Sequence, residues 1–235
     1  MPSRADVELL RRNQRRVVSL AVSTLNQFWS GLGTSDPVAV RDALLEFVPA
    51  LTDRYGDIAA TVAADWYEEM REAAGFAGGL TPEMSRTVRR EVVQNSVRYA
   101  AGGLFEDAPE KTLRIVSGAV DRYVKSPARR TIRINAERDG ARYARVPTGS
   151  ETCAFCLMVA GRGFVYGGKE TAGMFDKYHN ECDCQVVPDW SKDPKVEGYN
   201  PDALYGQYLS ARDAAGDHFD TQGILKNMRD MFDLK

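Results

Sequence analysis

Cys153, Cys156, His179, Cys182 and Cys184 place all four cysteines and one of the two histidines of this chain within thirty-two residues, as C-A-F-C, twenty-two residues, then H-N-E-C-D-C. A C-x2-C pair facing an H-x2-C pair matches the ligand set of a structural zinc site, where four side chains converge tetrahedrally on one ion. Five candidates compete for four positions, so one of His179, Cys182 and Cys184 is expected to be a spectator. Alternate residues of extended chain share a side, so Cys182 and Cys184 can both face the ion, or one can pack into the core. Iron is the alternative ion. Paired disulfides, or buried free thiols, are the alternatives to metal.

A catalytic zinc keeps three protein ligands and an open position. Here soft ligands are in surplus, which favours a closed structural site. The deaminase pattern H-x-E followed by P-C-x-x-C is absent, as are a P-loop, a G-x-G-x-x-G turn and H-E-x-x-H. A cysteine nucleophile with His179 or His218 as base is a further alternative. No cysteine stands apart from the cluster, however, and His218 lies in a short link between two expected helices, where a surface or capping role fits.

The elements that must position these residues are mainly helical. Apolar spacing predicts a helix over 6–32 and a second from Pro37, capped by Asp36 and ended by Pro49. A third is expected over 50–74, ending at Gly75-Phe76-Ala77-Gly78-Gly79. Thr81-Pro82-Glu83 is read as restarting a helix through Val88, Val92, Val93 and Val97 that stops at Gly102-Gly103. Another is expected from Pro109 to Val124, before Pro127. At Gly140 the period changes to two: Ala141–Val146 reads as a strand, with further strands at Phe164–Tyr166 and Gln185–Val187. Helices through Leu204–Leu209, capped at Asn200-Pro201, and over Thr221–Phe232 complete the chain. The fold class is mainly α: a helical docking domain at 1–140, a small zinc-stabilised α+β module at 141–190, and a surface linker with C-terminal helices at 191–235. The loop Leu157–Tyr178 carries Gly161, Gly163, Gly167, Gly168 and Gly173, which suits sharp turning and leaves it poorly self-supporting without an ion.

With 43% apolar and 27% charged residues among 235, the chain can bury a sizeable core. No apolar run reaches the roughly 18–20 residues that span a bilayer, and the N-terminus is too charged for a signal peptide. The net charge of −2 argues against general nucleic-acid binding. Its distribution is uneven, with 22 basic against 19 acidic residues in 1–150 and 9 against 14 in 151–235. Between Lys111 and Arg145 ten basic residues meet three acids. Lys111, Arg114, Arg122, Lys125, Arg129, Arg130 and Arg133 therefore form a candidate patch for DNA phosphates or an acidic protein, or else a solvated helix face.

The stretch A-R-Y-A-R-V-P-T-G-S-E-T-C-A-F-C-L-M-V-A-G-R-G-F-V-Y, followed by Y-H-N-E-C-D-C-Q-V-V-P, resembles the MuF-like minor head proteins of tailed bacteriophages, in the form carried by phages of actinobacteria. The likeness covers Ala141–Trp190, with weaker likeness at Trp66–Arg71 and Val196–Tyr205. It implies a head-morphogenesis protein without enzymatic activity, assembled in the host cytoplasm and kept inside the virion. The implied partners are the portal protein and major capsid or scaffold proteins, with packaged DNA nearby. Some such relatives are described as maturation proteases, so a head-maturation protease and a zinc-stabilised nucleic-acid binder are the alternative functions. Asp183 departs from the basic residue many relatives carry there.

Overall fold

The computed structural model of the protein describes residues 2–33, 35–76, 78–149, 152–167 and 177–234. Gly168 and Gly173 of the glycine-rich loop lie outside them. Helix α1 (Arg4–Ser30) opens with a capping box, Ser3 and Asp6 satisfying each other's backbone N–H groups. It buries Val7, Leu10, Val17, Val18, Ala21 and Leu25 on one side. The long α2 (Pro37–Ala73), capped by Asp36, packs most extensively on α4 (Pro109–Arg138). Between them come α3 (Arg90–Ala100) and a 3-10 turn (Ala101–Glu106).

Two expected helix ends are corrected. Neither Pro49 nor Pro127 stops its helix. A proline at 49 denies the Leu45 carbonyl its usual i+4 donor. The side-chain amide of Gln94 on α3 donates to that carbonyl at 3.2 Å and makes good the loss. Pro127 lies where α4 closely approaches α2: a Cβ on Gly56 would stand 3.2 Å from Pro127 Cγ and 3.1 Å from Thr87 Cγ2.

The expected helix restart at Thr81 is also corrected, because residues 80–89 run extended along α4. Glu83 exchanges two 2.8 Å hydrogen bonds with the Asn135 amide, and Ser85 N donates to Thr131 Oγ1 at 3.0 Å. The match is metric, since two extended residues span about 6.6 Å and four helical ones about 6 Å. Side chains of α4 therefore satisfy backbone groups that a helix would have satisfied internally.

Strand β1 (Arg142–Val146) pairs antiparallel with β2 (Gln185–Asp189), from Arg142 opposite Asp189 to Val146 opposite Gln185. The third expected strand is reduced to one bridge, Tyr143 N donating to Tyr166 O at 2.9 Å. Between the strands lies α5 (Ala154–Ala160), and beyond them α6 (Pro201–Ala215) and α7 (Thr221–Phe232) pack on α5 through Leu157, Ala211, Ile224 and Met228. The main apolar core runs without a break across residue 140, with Tyr143, Val159, Tyr166 and Val186 joining Leu10, Leu44 and Ile132. Among the described residues no helix is long and apolar enough to cross a membrane.

Gln94→Ala should cost about 1 kcal/mol in urea unfolding by orphaning the Leu45 carbonyl. The same change in a Pro49→Ala background should cost nearly nothing, because an alanine at that position supplies the missing backbone N–H.

Candidate metal centre

The register of the two strands brings the halves of the cysteine motif together. With Val146 opposite Gln185, the chain leaving β1 and the chain entering β2 emerge at the same end of the sheet. Leaving β1, it turns at Thr148 and reaches Cys153, which caps α5 by accepting from Cys156 N at 3.3 Å. The C-x2-C motif is thus the first turn of a helix, where N–H dipoles favour a thiolate. Cys182 and Cys184 immediately precede β2.

The donor atoms form two triads that share Cys156: Cys153, Cys156 and His179 in one, Cys156, Cys182 and Cys184 in the other, each within 4.8 Å throughout. Cys156 Sγ lies 3.4 Å from Cys182 Sγ and 3.7 Å from His179 Nε2. A zinc tetrahedron with bond lengths of about 2.3 Å to sulfur and 2.0 Å to nitrogen has edges of roughly 3.5–3.8 Å, so these separations fit the ion. His179 Nδ1 lies 2.5 Å from the Asn180 carbonyl, so in the neutral ring that nitrogen carries the proton and Nε2 presents its lone pair to the sulfurs.

The groups of the cluster perturb one another's protonation. A hydrogen bond from Cys156, with a further one from His179, brings the Cys153 thiol down to about 5. Hydrogen bonds to Cys153 and Cys182 lift His179 to about 10. Hydrogen bonds from Cys156 and Cys184 likewise hold Cys182 well below the usual thiol range.

The chain around Cys182 is clamped to α4. Its carbonyl accepts from Arg129 at 2.5 Å and from Lys125 Nζ at 3.3 Å. Lys125 also reaches Asp121 at 2.7 Å and Asp183 at 3.3 Å, and Asp121 accepts from Glu181 N at 2.9 Å. Asp183 pairs in turn with Arg15 of α1, and its carbonyl accepts from Thr148 Oγ1. One side of the Asp183 turn is thereby tied to α1 and α4, the other to the chain entering the C-x2-C helix. The Tyr178 ring lies between two guanidinium groups, Arg129 at 4.0 Å and Arg145 at 3.9 Å, and Arg145 Nη1 stands 3.9 Å from Cys156 Sγ.

The basic stretch therefore divides. Lys125 and Arg129, 3% and 2% exposed, face the cysteine turn. Arg122 lies over the Tyr123 ring, Arg130 donates to the Arg86 carbonyl, Arg133 pairs with Glu137, and Lys111 pairs with Glu106. Arg114 is exposed. Sequence reasoning passed over Asp121, Asp183 and Arg145 as parts of the site. The available signal was the i, i+4, i+8 row Asp121, Lys125, Arg129, which sets one acid and two bases on a single face of α4.

Arg129→Met should destabilise the chain by about 2 kcal/mol, because it leaves the buried Cys182 carbonyl without its charged donor. Arg114→Met should fall within about 0.5 kcal/mol of the parent. Chemical unfolding of the two variants under one condition separates a structural cation from a solvated one.

The VG15 protein family matches residues 1–211, a span that takes in α1 to α5, both strands and all five candidate ligands. The Gene 15 protein of Mycobacterium phage L5 is 28% identical over 222 residues, covering 73% of this chain and 73% of that protein. The Gene 15 protein of Mycobacterium phage D29 is 29% identical over 180 residues, covering 60% of this chain and 63% of that protein. No solved structure matches the chain. On the strength of a family match that spans both the helical bundle and the cysteine centre, this chain belongs to the VG15 protein family, a family with members in bacteriophages.

Proposed function

We propose that the chain is a minor head protein of a tailed phage: a structural component that docks on the portal during procapsid assembly, stays inside the capsid near the packaged DNA, and is stapled by one zinc ion. Three things support this reading: membership of a phage protein family, the likeness of residues 141–190 to MuF-like head-morphogenesis proteins, and the character of the cysteine centre. The centre carries most weight. Its shared ligand Cys156 is 1% exposed, and the turn holding Cys182 is fixed by buried cations, an arrangement suited to closing a fold and poorly suited to admitting a substrate.

Within that reading the ligands are Cys153, Cys156, His179 and Cys182, with Cys184 as the neighbour left over. Cys156 Sγ is the link within this set, 3.4 Å from Cys182 Sγ and 3.7 Å from His179 Nε2, with Cys153 grouped beside Cys156 and His179. Cys184 groups with Cys156 and Cys182, and the H-x2-C spacing pairs His179 with Cys182 rather than with Cys184. When bound, zinc would cross-link the first turn of α5 to the segment entering β2. The cations of α4 are largely spent on the protein itself, which favours protein docking over a nucleic-acid-binding role.

Purified protein should carry about one zinc ion per chain. Cys153→Ser should abolish zinc binding and lower the melting temperature, whereas Cys184→Ser should keep the metal. Because His179 must give up its proton to bind, zinc affinity should be higher near pH 8 than near pH 6 in a competition titration. Co-expression with the phage's portal protein should yield a complex, and co-expression with its major capsid protein should yield no cleavage product. Retention by capsids that lack a portal, with no binding to isolated portal, would overturn the docking assignment.

A further inference from the structure

Two exposed features at separate places on the molecule carry opposite charge, each with an exposed aromatic ring. The first is a groove between α2 and the 3-10 turn, lined by Arg41, Asp42, Leu45, Arg98, Gly102 and Phe105. Its rim is aromatic and cationic: Phe105 is 57% exposed, and Arg41 and Arg98 stand beside it. Gly102 leaves the floor open, since a Cβ there would meet nothing within 4 Å. The second is the link between α6 and α7, Gly216-Asp217-His218-Phe219-Asp220. Phe219 is 94% exposed and flanked by two carboxylates. The link is held in shape, with Asp217 accepting from Phe219 N at 2.9 Å and Asp220 from Gly223 N at 3.0 Å. Phe219 is therefore presented on a fixed acidic knob.

An aromatic side chain left in water forgoes about 2 kcal/mol of burial, and such residues are the ones that anchor interfaces. The knob cannot fill its own groove, because α6 and α7 pack against α5 and, among the described residues, make no contact with α2, α3 or the 3-10 turn. We propose that Phe219 of one copy inserts into the groove of a second copy of this chain, with Asp217 and Asp220 meeting Arg41 and Arg98. The occupant is assigned from charge: the knob brings two carboxylates, and the groove is net positive, since Arg41 pairs with Asp42 at 2.8 Å and Arg98 is left over. Knob and groove are different surfaces, so the contact is head-to-tail, and a pair keeps one free groove on one copy and one free knob on the other. Such contacts build rings or open chains.

Sedimentation velocity of the full chain should show mass growing with concentration toward about 0.1 mM, the range where a contact of roughly 10 µM is mostly formed. Phe219→Ser removes the knob, and Gly102→Trp fills the groove; each alone should weaken association at least ~10-fold. Circular dichroism melts should match the parent, since both positions lie in open space. Mixing the two variants should restore a one-to-one pair and nothing larger, because only one intact knob and one intact groove remain. A parent that stays monomeric, a variant that associates like the parent, or two variants that fail to pair when mixed would each overturn the proposal.

Discussion

The grip of α4 on the cysteine turn is the interaction on which the rest of the structure depends. Lys125 and Arg129 are charged groups moved almost completely out of water, a cost of several kcal/mol per ion unless opposing charge surrounds them. Here that charge comes from Asp121 and Asp183, and both cations also donate to the Cys182 carbonyl. Cations and cysteine turn are therefore interdependent. Without the turn the cations lose Asp183 and that carbonyl, and without the cations the turn that presents Cys182 loses its attachment to the bundle. Arg145 extends the arrangement to β1, lying against Tyr178 and beside Cys156.

That dependence explains why so small a sheet holds its place. Two five-residue strands form a marginal unit in isolation, yet here one end of the sheet is set by the cysteine centre and its face joins the helical core through Tyr143 and Val186. Asp183 carries the link further, since through Arg15 it ties the same turn to α1. Three segments far apart in sequence meet at one residue between two cysteines. A side chain there can be acidic only because the surrounding helices supply the cations, which gives a physical reason for Asp183 at that position.

The cysteine motif and the mainly helical class were legible in the sequence because both are local: ligand spacing and apolar period are read within one segment. The ends of α2 and α4 were not. The rule that proline ends a helix reflects an orphaned carbonyl, and at Pro49 that carbonyl is satisfied by Gln94, a residue 45 positions away. The strap over 80–89 was missed for the same reason, its backbone partners being Thr131 and Asn135. The basic stretch showed its charge but not its direction, because the groups it meets at 181–183 lie more than fifty residues downstream.

The same logic bears on what kind of surface the protein offers. A cluster of cations read from sequence invites a polyanionic partner, yet burial withdraws Lys125 and Arg129 from any such contact, and hydrogen bonds or ion pairs engage Arg122, Arg130, Arg133 and Lys111. What remains open to partners includes, beside Arg114, the exposed rings of Tyr99, Phe105 and Phe219. Exposed aromatic groups with nearby charge typify protein interfaces, where ring burial supplies affinity and charge supplies register. The interior of this chain thus consumes much of its electrostatics to hold the cysteine centre in place, and its exposed aromatic groups are what support the proposed docking on another protein.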